Sequence, residues 1–173
     1  MKRILFVLIA IALPLFAADS PRMYVSFEGA SPSTDTLGKP ADVELHFKVK
    51  EGFHVNSNQP KSELLIPTTL KLEPPTDLAA GSITYPPGKD LSFPFDPSEK
   101  LNVYSDDFTV TAKMSATKTA SPGNFTVHGQ LRYQACSDNA CYPPKSVPVQ
   151  FDLQVVNHAK RAHDTTPQNP HIK

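Results

Sequence analysis

The sequence predicts an all-β fold, an antiparallel β-sandwich of immunoglobulin-like type, and three observations carry that prediction. Prolines outnumber glycines 18 to 7 and helix-favouring runs are few, which suits short strands joined by rigid connections. From Asp42 to Val49 the chain alternates, with Val43, Leu45, Phe47 and Val49 on one face, the period-two signature of a half-buried strand. Beyond the N-terminal apolar run no helical periodicity is sustained, while about seven short strand-like runs are separated by Pro, Gly, Asn and Asp signals. The Cys…Trp…Cys core of immunoglobulin domains is absent, because the chain has no tryptophan and its two cysteines are near neighbours.

In chain order, Lys2-Arg3, the apolar run Ile4 to Phe16 and Ala17-Ala18 have the three parts of a secretory signal peptide, assigned to residues 1–18. The run is too short to span a bilayer comfortably, so the mature chain is expected to be exported to the periplasm or beyond, without stable membrane insertion after cleavage; an uncleaved membrane anchor is the alternative. The single domain expected over residues 19–157 is long enough for a real core. Without Lys2 and Arg3, 15 basic residues face 17 acidic ones, a net charge near −2, which argues against nucleic acid as a partner.

Strands are expected at Met23 to Phe27, Asp42 to Val49, Thr68 to Leu72, Ser82 to Tyr85, Phe108 to Ala112, Asn124 to Ala135 and Val147 to Val156. Tyr85 to Asp107, with Pro86, Pro87, Pro94 and Pro97, reads as a long loop. Its Phe93-Pro94-Phe95 places two phenylalanines where they must cover something, either the end of the core or a site. The polar tail 158–173 reads as disordered. Its His158, His163 and His171 are too widely spaced for a convincing metal site, and no metal or other cofactor is expected.

The chemistry concentrates in Tyr133-Gln134-Ala135-Cys136-Ser137-Asp138-Asn139-Ala140-Cys141-Tyr142-Pro143-Pro144, which holds the only two cysteines. Two strand-like runs flank it and Ser137 to Ala140 supplies turn residues, so the pair is expected to bridge the ends of a hairpin turn. Closing so short a loop stabilises by roughly 2 kcal/mol in the chain-entropy model, against about 4.7 for a 100-residue loop. A redox group and a local structural staple both fit this pair. The spacing suits neither a C-x-x-C redox helix nor haem attachment, and no near histidine completes a zinc site. Nothing adjacent strongly acidifies a thiol, so the reduced pair is expected to be a modest reductant.

Together with Glu51-Gly52-Phe53-His54-Val55-Asn56-Ser57-Asn58, the Tyr133–Cys136 and Cys141–Pro144 motifs resemble the N-terminal domain of the thiol:disulfide interchange protein DsbD family, over roughly Tyr24 to Val156. The resemblance implies an immunoglobulin-like sandwich whose cysteine pair takes electrons from one thioredoxin-fold protein or domain and passes them to others. It makes Cys141 the residue that forms mixed disulfides and Cys136 its resolving partner. It further implies a cap loop within Leu91 to Asp107, with Phe93 or Phe95 as shield, and a surrounding shell of Phe53, His54, Asn56, Tyr133 and Tyr142. The family has aromatic residues along Gly52 to Asn58, so His54 and Asn56 alter that shell. The membrane-embedded and thioredoxin-like portions of full-length family members are expected to be absent, so the electron donor is expected to be a separate protein. The alternative is an exported protein-binding module whose disulfide is only a staple.

Overall fold

The alternating run at Asp42 folds as expected, and its neighbours organise around it. The structure, a computed structural model, describes residues 23–37, 39–94 and 96–157; the expected signal peptide, the tail 158–173 and Phe95 lie outside the described residues. Among the described residues twelve strands follow one another: β1 (Val25–Ala30), β2 (Thr34–Thr36), β3 (Ala41–Val49), β4 (His54–Asn56), β5 (Thr69–Glu73), β6 (Leu78–Thr84), β7 (Lys89–Phe93), β8 (Asp96–Tyr104), β9 (Asp107–Ala116), β10 (Gly123–Tyr133), β11 (Ala135–Cys136) and β12 (Lys145–Val156). They form three four-stranded sheets, ordered β1-β3-β9-β6, β2-β12-β10-β5 and β11-β4-β8-β7.

The first two sheets make an immunoglobulin-like sandwich. Val43, Leu45 and Phe47 of β3 share one buried cluster with Val127 and Leu131 of β10 and Val149 and Leu153 of β12, while residues between them along the strands are largely exposed. Burying each such side chain contributes about 1.5–3 kcal/mol, so the alternation fixes register as well as stability. At Gly129 a Cβ would meet Lys71 O at 2.5 Å and Leu72 Cδ2 at 2.8 Å, so glycine lets β5 lie close against β10. The pairings are antiparallel except one: β2 runs parallel to β12, pairing Thr34 with Gln154.

Two expectations are corrected. Tyr85 to Asp107 is not a long loop; most of it is the hairpin β7–β8, with Leu91 opposite Leu101. Its prolines avoid the regular ladder: Pro86 and Pro87 precede β7, Pro94 sits at the turn, and Pro97 falls in the register shift between Asp96 and Lys100. Phe93, Leu101 and Val103 form a second small core with Leu65 and Leu91. The first strand is also displaced, from Met23 to Phe27 onto Val25–Ala30, with a bulge between Phe27 and Gly29, where Gly29 has a φ of 123°.

Candidate functional site: a surface disulfide beside a buried histidine

Strands β10 and β12 pair along their length, from Gly123 opposite Val155 to Tyr133 opposite Lys145, and the excursion between them carries both cysteines. Ser137 N–H donates to Ala140 C=O at 2.9 Å and Tyr142 N–H to Ala135 C=O at 2.8 Å, closing a turn with Cys136 opposite Cys141. The two are joined in a disulfide with S–S 2.00 Å. The ends of this bridge differ. Cys136 is fully buried on β11, whereas Cys141 is exposed, along with Asp138, Asn139 and Ala140 of the turn.

Aromatic rings back the turn. Tyr142 stacks on Tyr24 with centroids 5.1 Å apart and tilts against Phe53 at 5.8 Å, and Tyr24 and Phe53 are 4.5 Å apart. Tyr133 is fully buried, and its hydroxyl accepts from the Tyr24 N–H at 3.1 Å. Phe53 reaches this position because Gly52, at φ 78°, permits a tight turn in which Phe53 N–H donates to Lys50 C=O at 3.1 Å. Lys145 Nζ lies 5.0 Å from the Tyr24 ring centroid, adding a cation to the cluster.

On the other side lies β4, every residue of which is buried. It pairs with β11 so that His54 stands opposite Cys136 and Val55 opposite Ala135. Asn56 Nδ2 donates to Ile66 O and to Gln134 Oε1, both at 3.0 Å, and Gln134 Oε1 also accepts from Ile66 N–H at 3.0 Å. These bonds tie the segment after β4 to the residue two before Cys136. The His54 ring stacks on Phe93, the last residue of β7, with centroids 3.7 Å apart and planes 16° apart. His54 is 3 % exposed and its Nε2 has no hydrogen-bond partner. Burial pushes its pKa down to about 4, partly opposed by the negative charge of Asp138, so the imidazole is neutral at pH 7.

The structure therefore gathers Cys136, Cys141, Phe53, His54, Asn56, Tyr133 and Tyr142 around one turn, with Phe93 reaching the group through His54. Tyr24 and Gln134 also belong to it and were not singled out from the sequence. Gln134 stood inside the cysteine motif, a signal that could have flagged it; Tyr24 lies 109 positions from the Tyr133 it bonds, and no local pattern marks it. Among the described residues no group of three or more His, Cys, Asp or Glu is placed to hold a metal ion, and no helix is long and apolar enough to cross a membrane.

An immunoglobulin-like sandwich that exposes one cysteine of a short-loop disulfide and buries the other defines a disulfide-bearing β-domain. The chain belongs to the family "Thiol:disulfide interchange protein DsbD, N-terminal", whose sequence profile matches residues 26–153. It is 24 % identical over 182 aligned residues to the thiol:disulfide interchange protein DsbD of Actinobacillus pleuropneumoniae serotype 5b (strain L20), covering 98 % of this chain. The chain spans 28 % of that relative's length. Among solved structures it is similar to the reduced N-terminal domain of DsbD from Neisseria meningitidis, at 21 % identity and a TM-score of 0.39 over 65 % of this chain and 75 % of that one. It is also similar to a chain of the complex between the DsbD and PilB N-terminal domains of Neisseria meningitidis, at 18 % identity and 0.43 over 79 % and 87 %.

Proposed function

We propose that this is an exported, periplasmic thiol–disulfide carrier that moves electron pairs between thioredoxin-fold partners through Cys136 and Cys141. The observation that carries the reading is the asymmetry of the bridge: Cys141 is exposed on the turn while Cys136 is buried behind it. A thiolate attacks a disulfide in line with its S–S bond, so the accessible sulfur is the one attacked. A donor thiolate bonds to Cys141 Sγ, the Cys136–Cys141 bond breaks, and Cys136 leaves with the electron pair and takes up a proton. The donor's second thiolate then attacks its own sulfur in the mixed disulfide and releases Cys141. The donor is now a disulfide and the domain a dithiol, two electrons and two protons richer. Delivery to an acceptor runs the same steps backwards, with Cys141 attacking and Cys136 resolving.

Equilibration against defined ratios of reduced and oxidised glutathione tests this. A carrier is expected to titrate between about −180 and −270 mV, whereas a potential below about −300 mV marks a structural staple and favours the protein-binding module.

The hairpin β7–β8 takes the place of the expected cap loop in this reading. Phe93, stacked on His54 opposite Cys136, keeps the buried end of the bridge closed, so that Cys136 is slow to be released as a thiolate until a partner docks. A stacked ring pair is worth about 0.5–1.5 kcal/mol, small enough for a docking surface to displace. Phe93→Ala is therefore expected to accelerate reduction by dithiothreitol about two- to tenfold with the far-ultraviolet spectrum retained. An unchanged rate in a folded variant would make Phe93 a core plug. Phe95→Ala, measured alongside, assigns any remaining share of the shielding.

A further inference from the structure

Two buried polar atoms of this site have no partner while the bridge is closed, Oδ1 of Asn56 and Nε2 of His54, and only His54 stands opposite a cysteine. In an antiparallel ladder, directly opposite residues project to the same face with Cβ atoms about 4.5–5.5 Å apart, so the register that sets His54 opposite Cys136 puts the two side chains side by side on one face. Both residues are buried, and the Phe93 ring against His54 limits access of water to the imidazole. Nε2 of His54 is nonetheless unpartnered, a costly arrangement for a buried nitrogen unless another state of the site supplies the partner. A disulfide sulfur has no hydrogen to donate. A thiol does.

We propose that His54 Nε2 accepts a hydrogen bond from the Cys136 thiol in the reduced domain, a bond that exists in one redox state only. This rests on the reading that the pair cycles between disulfide and dithiol. On reduction, two electrons and two protons arrive from a partner dithiol, the S–S bond breaks and each sulfur gains a proton; the proton on Cys136 stays on sulfur and points to Nε2. No proton is transferred to the imidazole, consistent with a ring that resists protonation. Asp138 is the charged group to which the ring responds, and a negative neighbour does not favour a second anion at Cys136. The bond stabilises Cys136 as a thiol and raises its pKa, so Cys141 is left as the sulfur that ionises and attacks. His54 thus positions the resolving cysteine and favours its thiol form, without donating or taking up a proton in the net reaction.

The test compares wild type with His54→Phe, which keeps a ring for Phe93 and removes the nitrogen, and with His54→Gln, which keeps an acceptor. In glutathione buffers the equilibrium constant for reduction of His54→Phe is expected to fall about three- to tenfold relative to wild type, with a smaller fall for His54→Gln. The oxidised form of His54→Phe is expected to be no less stable than wild type, because the orphan nitrogen is gone. Equal loss of stability in both redox forms with an unchanged equilibrium constant would overturn the proposal and leave His54 a packing residue. Nitrogen NMR of the wild-type ring needs no variant: the Nε2 resonance is expected to move to the hydrogen-bonded range on reduction at pH 7, and a resonance indifferent to reduction also overturns it. The wild-type potential alone decides whether the domain is a carrier, so failure of that reading is distinguishable from failure of this one.

Discussion

Cys136→Ser is expected to trap a covalent complex with a thioredoxin-fold partner, and Cys141→Ser is expected to trap little or none. Each variant retains one thiol. In Cys136→Ser that thiol is on the exposed end of the turn, whereas in Cys141→Ser it lies at a position that is fully buried in the parent domain, beside His54 and under the reach of the β7–β8 hairpin. Attack needs the thiolate at the surface and in line with the partner's disulfide, so a buried cysteine reacts only after local opening. Even about 1.4 kcal/mol of opening slows the reaction about tenfold, and that is the smallest difference expected between the variants. A thioredoxin whose second active-site cysteine is serine, activated as its thionitrobenzoate adduct, makes the comparison direct. Release of the chromophore gives the rate, and a non-reducing gel shows the adduct. Equal rates would mean that burial of Cys136 does not protect it and that the assigned roles are wrong. Absence of reaction in both would leave the disulfide as a staple.

The parts of this site that were legible in the sequence share a physical cause. Strands β3 and β12 bury one face and expose the other, and that half-burial writes alternation into the chain. Strand β4 does not alternate, because Val55 is buried along with His54 and Asn56 on either side of it; a strand covered on both faces loses the signature. The hairpin β7–β8 carries alternation of its own at Leu91 and Phe93, but prolines at its approach, turn and bulge dominate the reading and suggest a loop. The cysteine pair was legible because two cysteines in an otherwise cysteine-free chain have only each other. What depends on tertiary contact was not: the meeting of His54 with Phe93, the bond from Tyr24 to Tyr133, and the difference in burial between the two cysteines follow from how three sheets converge on one turn.

Between pH 7 and pH 4 the oxidised domain is expected to lose about 3 kcal/mol of stability through His54 alone. The folded pKa of about 4 lies below the value of 6.5 for the unfolded chain, chiefly through burial, so the unfolded state takes up a proton that the folded state resists. A depressed folded pKa gives stability that is fully present above the unfolded value and is lost as pH falls through the folded one. The loss begins near pH 6.5, reaches about 2 kcal/mol by pH 5 and about 3 by pH 4. Other groups with resolved shifts act elsewhere. Asp90, held below its usual value by hydrogen bonds from Asn102 and Lys61, is exposed and acts below this window. Tyr85 and Tyr104, raised chiefly by burial, act only in alkali. Urea unfolding of wild type and His54→Phe at pH 7, 5 and 4 isolates the histidine. The wild-type midpoint is expected to fall steeply over this range while that of the variant falls less, the gap between the two losses approaching about 3 kcal/mol at pH 4. Parallel curves would show that protonated His54 is accommodated, by Asp138 or by movement of the Phe93 ring away from it. In the predicted case the same burial that leaves Nε2 orphaned in the disulfide state also makes this side of the domain acid-sensitive. Reduction should then widen the gap, since protonating the ring would also break its bond to Cys136.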